Sequence, residues 1–589
     1  MICWGQRDCC GIFGGRKKSD DGCECLPNSC IRDLAPEYRS VVCEPELHNV
    51  YDNLDLNKSE HFAELDTMLR LKSISSGLKY EPQIKQTMDI LAERLSELEF
   101  KVEVLQIEPR CNEPKGYVIF ADYFSSINKH VVLVYGQVDV PQVTEDETWS
   151  VEPFQLTKEQ NMLYGKGVAT SKGPLMCWLQ AAASWRAETN DLPINLRFVI
   201  ETNYHNNSRG LRELIAGREK FFKPVDLLIF HNNNWINERV PLLTTNLNGF
   251  IYFELEVRAK QSSEGQQPHE LLGELCALMN TLTDAKAGVS IKQLQRHVLP
   301  LSPHDWQLLN ETELGMQQLK QTFGIKRLPH EQSKCEYLKH KWCLPSLTMH
   351  GVQFATQRSV CNFHTPQRAV ATFTVKLVPQ QSLKYVKYLV RDYLDAAYRR
   401  LRCQHAAYLR VASELKPLHT ARHTPFNAAA QRAYNEIFDV RAVTADAISG
   451  CCSIINELHK HCMPNAQIMG LPFCSIQTQP QQPDEQLPRR HYEYNLELLV
   501  NFIYQLAIIP VDCKCSVIKD FCYEQGKSTD RDYARMMSMR VDNTNTNVLY
   551  ELDELDVERN HDKSATSAAR VAPKQRISQV VISGGGPLD

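Results

Sequence analysis

Short apolar runs alternate with helical patterns through the first half of the chain. Three runs, at residues 131–135, 194–200 and 225–230, have the length and continuous apolar character of buried strands. Residues 175–185 lie between the first two runs and repeat apolar side chains at helical spacing. Strands separated by helices predict a mostly parallel sheet that helices cover on both faces. In such sheets the ligand site lies in the loops at the carboxyl ends of the strands.

A second pattern occupies residues 247–416. Residues 249–258 alternate between apolar and polar side chains as a strand does, and residues 268–282 have helical periodicity. Another half-polar strand and another helix follow, and this order predicts an inserted α+β unit, a lid. The α/β domain would then comprise residues 46–246 and 417–511.

The two ends of the chain differ from these units. Residues 1–45 hold seven of the 21 cysteines and have no apolar periodicity, which predicts a disordered arm. An alternative is reversible acylation of Cys3, Cys9 and Cys10, which precede a basic stretch and could anchor the arm to a membrane. Residues 512–589 are polar and predict a disordered tail.

Composition narrows the class of protein. The chain has 66 Lys and Arg against 70 Asp and Glu, a formal net charge of -4, so it lacks the basic excess of a nucleic-acid-binding protein. The most apolar late stretch, at residues 496–511, contains Glu497, Asn501 and Gln505 and is too short to cross a bilayer. The first residues do not resemble a secretory signal, and the cysteine count is odd. We therefore expect a cytoplasmic protein with reduced thiols.

Three sequence motifs lie in the loops that follow the predicted strands. They are YGQVDV at residues 135–140, EPF at 152–154 and LYGKGVATSKGP at 163–174. In order and spacing they resemble the zinc-dependent aminoacylase and carboxypeptidase family, most closely its carnosinase and cytosolic non-specific dipeptidase branch, over roughly residues 46–510. The resemblance implies an α/β catalytic domain with an inserted lid and dimerisation domain. It also implies a cytosolic homodimer that hydrolyses dipeptides with two metal ions bridged by a water.

All five positions at which this resemblance implies a metal ligand hold replacements. They are Gln137, Thr170, His205, Asn232 and Gln481. Amides and hydroxyls bind transition metals poorly beside imidazole, so only His205 could still serve. Two dications in a pocket without carboxylates would carry a large uncompensated charge. We therefore expect no metal cofactor.

The neighbouring catalytic positions are also changed. Asp139, which in the family orients the first histidine ligand, is retained as a vestigial site residue. The general base falls on Tyr204, whose phenol is protonated at neutral pH and is a poor proton acceptor. Arg368 matches the lid arginine that in the family reaches the substrate carboxylate across the dimer, and Lys416 replaces a lid histidine. These two cations could hold a small peptide-like ligand, although Arg368 could equally be a salt-bridge residue.

Three hypotheses follow. The first is a catalytically inactive family member, a pseudoenzyme, that retains a ligand- or partner-binding role. The alternative is an active metal-dependent dipeptidase with two zinc or manganese ions per chain in a rearranged site around His205, His231 and Glu201. The third is a subunit that forms a heterodimer with an active relative and donates Arg368 to it.

Overall fold

The structure is a computed structural model. It describes residues 44–109, 113–126, 129–259, 270–283, 288–296, 298, 300–328, 330–354, 366–379, 381–421, 423–447, 453–462, 466–511, 549–552 and 579–582. The cysteine-rich arm therefore lies outside the described residues, apart from the two residues that begin the first helix.

Helices and strands alternate along the described chain. The helices are α1 (Glu44–Leu56), α2 (Lys58–Arg70), α3 (Glu81–Glu97), α4 (Lys172–Thr189), α5 (Leu211–Ile215), α6 (Glu219–Phe222), α7 (Leu271–Thr281), α8 (Pro303–Glu311), α9 (Met316–Phe323), α10 (Lys334–Trp342), α11 (Leu383–Leu401), α12 (Pro425–Phe438), α13 (Ser453–His461) and α14 (Arg489–Ala507). The strands are β1 (Lys101–Ile107), β2 (Gly116–Tyr123), β3 (Val131–Gln137), β4 (Thr157–Glu159), β5 (Met162–Tyr164), β6 (Asn195–Glu201), β7 (Leu227–Phe230), β8 (Leu242–Leu247), β9 (Gly249–Arg258), β10 (Ser346–Phe354), β11 (Arg368–Leu377), β12 (Ala406–Leu415), β13 (Val443–Ala447), β14 (Gln467–Gly470), β15 (Gln486–Pro488), β16 (Leu549–Leu552) and β17 (Gln579–Ile582).

An eight-stranded sheet forms the centre of the first domain, in the order β1-β2-β6-β3-β7-β14-β8-β13. The three predicted apolar runs are β3, β6 and β7, and β3 pairs in parallel with both of the others. The prediction of a mostly parallel sheet is therefore confirmed. Gln137 lies beside Glu201 and Phe230 beside Gly470, so four strands end at one edge of the sheet. This edge carries the candidate site.

Two apolar layers cover this sheet. Helices α1, α4, α12 and α14 pack on one face, and helices α5, α6 and α13 pack on the other. Helix α4 is buried on nearly all sides from Lys172 to Trp185, because it lies between the sheet and the outer helices. Its first residues are consequently fixed in position at the edge where the strands end.

The lid is a separate antiparallel sheet in the order β10-β11-β9-β12-β17-β16. One face packs on α7 and α11, and the rings of Phe253 and Phe373 stack at its centre with 5.1 Å between centroids. Strand β9 has the predicted bounds, and its residues alternate between buried and half-buried. Helices α8 to α10 instead share a small core with Ile236, Val240 and Leu242 of the first domain. The apolar pattern of these helices did not indicate which surface they would cover.

Two short segments of the polar tail lie within the described residues, and both are strands. Strand β17 pairs with β12 at the edge of the lid sheet, and β16 pairs with β17. An exposed sheet edge offers unpaired backbone groups, and such an edge can order a short segment that would not form a strand alone. None of the described helices combines the length and the apolar character that a bilayer-spanning helix requires.

The close contact between α4 and the preceding loop gives a prediction. A Cβ atom at Gly173 would lie 1.9 Å from the carbonyl oxygen of Val168, whereas one at Gly351 on strand β10 would meet nothing within 4 Å. We expect Gly173→Ala to destabilise the protein by at least about 2 kcal/mol, because the clash is with backbone. Gly351→Ala is the control and should change stability by less than about 0.5 kcal/mol. Melting temperatures that fall equally for both variants would contradict this placement.

Candidate active site

A small cleft opens where the strands end. Residues from β3, from the loop before α4 and from the loop after β7 line it. The polar residues among them are Tyr135, Gln137, Thr170, Ser171, His231 and Asn232. Within the described part of the chain, the lining includes no Asp, Glu, Lys or Arg side chain. The cleft is therefore polar and formally neutral.

Two carboxamides bond to each other in the cleft. Gln137 ends β3 and is 5% exposed, and its Oε1 accepts a hydrogen bond of 3.1 Å from Nδ2 of Asn232. The resemblance implies a metal ligand at both positions. Here one side chain satisfies the other, as buried polar groups require.

The loop before α4 is held by Glu485, a buried carboxylate on a distant segment. Its Oε2 accepts from the backbone N–H of Gly167 at 2.9 Å, and its Oε1 accepts from those of Ala169 at 2.9 Å and Thr170 at 3.1 Å. The hydroxyl of Thr170 also donates to Oε1 at 3.0 Å. Burial raises the pKa of Glu485, while the N–H groups of Gly167 and Ala169, the Thr170 hydroxyl and the charge of Lys166 act against that rise. Thr170 is therefore committed to a carboxylate instead of a metal.

Asp139 holds the loop after β6 in a similar way. It is fully buried, and its carboxylate accepts from the backbone N–H groups of Tyr204 at 3.2 Å and His205 at 2.9 Å and from the Ser75 hydroxyl at 2.8 Å. Burial raises the pKa of Asp139, while the neighbouring His205 opposes the rise. The retained aspartate thus positions a loop.

A second buried acid lies at the end of β6. Oε1 of Glu201 accepts hydrogen bonds from the hydroxyls of Tyr135 at 2.5 Å and Ser208 at 2.6 Å. Burial raises its pKa to about 8, so Glu201 is mostly protonated at neutral pH. A protonated carboxyl is a poor metal ligand and a poor general base.

His231 is held in one tautomer. Its Nε2 accepts from the indole N–H of Trp178 at 2.6 Å, so its proton lies on Nδ1, which donates to the carbonyl of Leu471 at 2.9 Å. Burial lowers its pKa to about 4, which keeps the ring neutral. Both nitrogens are occupied, so His231 cannot supply the rearranged metal site that the alternative hypothesis placed around it.

Two further predicted positions lie away from the cleft lining. His205 packs edge-on against Tyr204, with 5.2 Å between ring centroids, and Gln481 lies in the loop before β15 with a positive φ of 63°. Neither is among the residues that line the cleft. Of the five positions, Gln137, Asn232 and Thr170 therefore bond to protein groups in the cleft, and His205 and Gln481 lie apart from its lining.

This donor set does not fit two divalent ions, because no carboxylate faces the cleft to balance their charge. Within the described ranges, no three His, Cys, Asp or Glu side chains converge as metal ligands would.

Arg368 and Lys416, the two cations predicted to hold a ligand, are not arranged around a common ligand position. Arg368 begins β11 and binds Glu256 through two hydrogen bonds, from Nε at 2.6 Å and from Nη2 at 3.0 Å. This pairing raises the pKa of Arg368. Lys416 is exposed, and its carbonyl accepts from Asn456 at 2.6 Å. Arg368 would therefore have to release Glu256 before it could bind a ligand carboxylate.

Glu485 is a site residue that the sequence pattern does not reveal. Glu485 lies in a polar loop without periodicity, and it binds backbone amides, which leave no pattern in the sequence.

Comparison with known proteins supports the resemblance. The sequence model of peptidase family M20/M25/M40 matches residues 133–505. The human Beta-Ala-His dipeptidase is 24% identical over 476 residues, which are 78% of this chain and 93% of the relative. The Cys-Gly metallodipeptidase dug1 of Schizosaccharomyces pombe is 26% identical over 366 residues, 60% of this chain and 77% of the relative. These names favour the alternative hypothesis of an active dipeptidase over the first, and none of these matches shows inactivity.

Solved structures share the fold. The crystal structure of human carnosine dipeptidase 1 matches with a TM-score of 0.66 and 24% identity, covering 78% of this chain and 98% of that one. The dipeptidase Dug1p from Saccharomyces cerevisiae matches with a TM-score of 0.67 and 22% identity, covering 79% and 99%. At these identities the likeness establishes the two-domain architecture.

The role of Glu485 can be tested by removing its charge. Glu485→Gln would place an amide N–H against backbone N–H donors, so we expect stability to fall by about 2 kcal/mol. Glu493→Gln is the control, because it makes the same change of acid to amide at a residue that pairs with the half-exposed Arg489 one turn earlier in α14. Its loss should cost about 0.5 kcal/mol or less. Calorimetric melting temperatures measure both. Equal, small losses would show that Glu485 does not hold the loop.

Glu201 makes stability depend on pH. Its folded-state pKa of about 8 exceeds the ordinary value of 4.5, so between these values the folded chain keeps a proton that the unfolded chain has released. Stability therefore falls as pH rises through this window and levels off above it. Glu201→Gln removes this contribution while keeping an acceptor for Tyr135 and Ser208. We expect the melting-temperature difference between variant and wild type to grow in favour of the variant from pH 4.5 to 8. A constant difference would refute this.

Proposed function

Because the chain belongs to the peptidase family M20/M25/M40, we propose that its cleft binds small peptide-like ligands and does not use two-metal hydrolysis. Family membership supports the ligand class, since the relatives are named for dipeptides. The chemistry of the cleft supports the second part. A two-metal mechanism needs anionic ligands and a bridging water, and the lining residues are neutral.

The hydrogen bond between Gln137 and Asn232 carries this proposal. Both side chains are carboxamides, and they would have to separate before either could face a metal ion. Opening the pair would leave a half-buried amide without its partner and would supply only weak neutral ligands in return. The cleft is stable as a neutral polar site.

Dipeptide hydrolysis is the second candidate, and the comparisons favour it. The relatives include a Beta-Ala-His dipeptidase and Cys-Gly metallodipeptidases, and the first of these aligns over most of both chains. Hydrolysis would require a metal site that does not use the amides and the hydroxyl at four of the five positions described, Gln137, Thr170, Asn232 and Gln481. His205 is the one imidazole among those positions, so it is the residue to vary in testing this candidate.

We further propose a cytoplasmic homodimer that associates through the lid, with a heterodimer with an active relative as the variant of this idea. The family resemblance supports dimerisation. Seven cysteines of the described residues, including the buried Cys177 and Cys474, are free thiols, as is usual in a reducing compartment. Size-exclusion chromatography with light scattering tests the dimer.

Metal content and turnover separate the two candidates. For the purified, untagged protein we expect far less than one zinc or manganese ion per chain by elemental mass spectrometry. We also expect no hydrolysis of β-Ala-His or Cys-Gly with either metal added, and heat of binding for the same dipeptides by calorimetry.

The opposite result is equally specific. Two metal ions per chain with turnover, both lost on His205→Ala and both kept in the exposed control His48→Ala, would establish the second candidate. Absence of both turnover and dipeptide binding would overturn the ligand-binding proposal.

A further inference from the structure

The lid sheet has an edge that strands β9 to β12 leave open. Strand β12 pairs with β9 from Ala406 to Leu415, and its other side faces away from these strands. An edge strand presents unpaired backbone N–H and C=O groups, and these can pair with an extended chain that reaches them. The outer side of β12 is therefore an interaction surface made of backbone groups.

The two halves of this edge differ. Residues 406–409 have the uncharged sequence AAYL, and they pair with β9 in regular register. Beyond Arg410 the register shifts between Val411 and Ser413, and the charged Glu414 follows. A bulge and charged side chains both oppose further pairing at a sheet edge. The first half of β12 is therefore the part that can accept another strand.

The tail of the chain covers this half and ends where the bulge begins. Strand β17 pairs with residues 407–410 of β12 in antiparallel register, from Ile582 to Gln579. Its sequence QVVI is uncharged, and β-branched residues favour extended backbone. Strand β16 pairs with the outer side of β17, so the outermost strand contains Glu551. The tail thus replaces an uncharged edge with one that carries a charge.

The tether of the tail determines how well β17 excludes other strands. Residues 512–548 connect the first domain to β16, and residues 553–578 connect β16 to β17. A segment on the same chain reaches its site at an effective concentration on the order of millimolar, even through a long linker. A free strand at micromolar concentration therefore does not displace β17.

We infer that β12 at residues 406–410 is a binding site for an extended peptide strand, and that β17 of the same chain fills this site and excludes other strands. The segment that the site recognises is short, uncharged and rich in β-branched residues. Access to the site requires release of the tail. The site lies on the lid, so the inference goes beyond the proposed function and does not depend on a ligand in the cleft.

Competition with a peptide tests the site. The probe is a dye-labelled peptide with the sequence of residues 574–585, KQRISQVVISGG, and fluorescence anisotropy measures its binding to the full chain. The double variant Val580→Pro, Val581→Pro releases the tail, because proline lacks the N–H that a strand ladder needs. We expect the peptide to bind this variant at least about tenfold more tightly than the wild type. The control, Ala568→Pro with Ala569→Pro, makes the same change between the two tail strands and should bind the peptide as weakly as the wild type.

Hydrogen exchange of β12 shows whether the tail fills the edge. The amides of residues 407–410 that face β17 should exchange slowly in the wild type and in the control, and at least about tenfold faster in the Val580→Pro, Val581→Pro variant. Equal peptide affinity of the wild type and this variant, whether measurable or absent, would overturn the inference. Exchange that becomes fast when the wild type is diluted would show that a second copy supplies the strand, and would overturn the intrachain assignment.

Discussion

The geometry of the cleft depends on one carboxylate that is buried far along the chain from the loop it holds. Glu485 accepts three backbone N–H groups between Gly167 and Thr170, and its own carbonyl accepts from the N–H of Gly165. The short strand that follows it, β15, pairs with β5 at the start of the same loop. Charge-assisted bonds to backbone amides are among the stronger hydrogen bonds in proteins. They fix the start of α4, and with it two walls of the cleft.

Around this fixed loop, the residues behind the cleft differ in kind from the residues that line it. The buried acids Asp139, Glu201 and Glu485 all lie behind the lining, where they bond to protein groups. Neutral residues occupy the surface of the cleft itself. These acids therefore hold the loops around the cleft in place, and the cleft lining itself presents only uncharged donors and acceptors. Such a site can select a ligand by shape and by the pattern of its donors and acceptors.

Much of this arrangement could be predicted from the sequence, because its physical cause is local. Continuous apolar runs produced β3, β6 and β7, and alternation produced β9 with its observed bounds. The position of the site followed from strand direction, since parallel strands bring their carboxyl ends together. The replacements at Gln137, Thr170 and Asn232 were visible as residue identities, and these three side chains do meet in the cleft.

The other contacts of the site join residues that are far apart in the chain, and a single sequence does not show which residues meet. The mutual bond of Gln137 and Asn232 joins residues far apart in the chain, and the pairing of Arg368 with Glu256 depends on the register of β11 on β9. Tail strand β17 pairs with the edge of β12, a contact between segments that are far apart in the chain. Helices α8 to α10 pack on the first domain, and their amphipathic pattern fits either surface.

The carboxamide pair also links the two sides of the cleft. Gln137 ends β3 and Asn232 follows β7, so their hydrogen bond joins two segments that are far apart in the chain. Loss of either side chain leaves the other amide without this partner. A substitution at one position therefore changes the surroundings of both, and the two residues act as a single coupled unit.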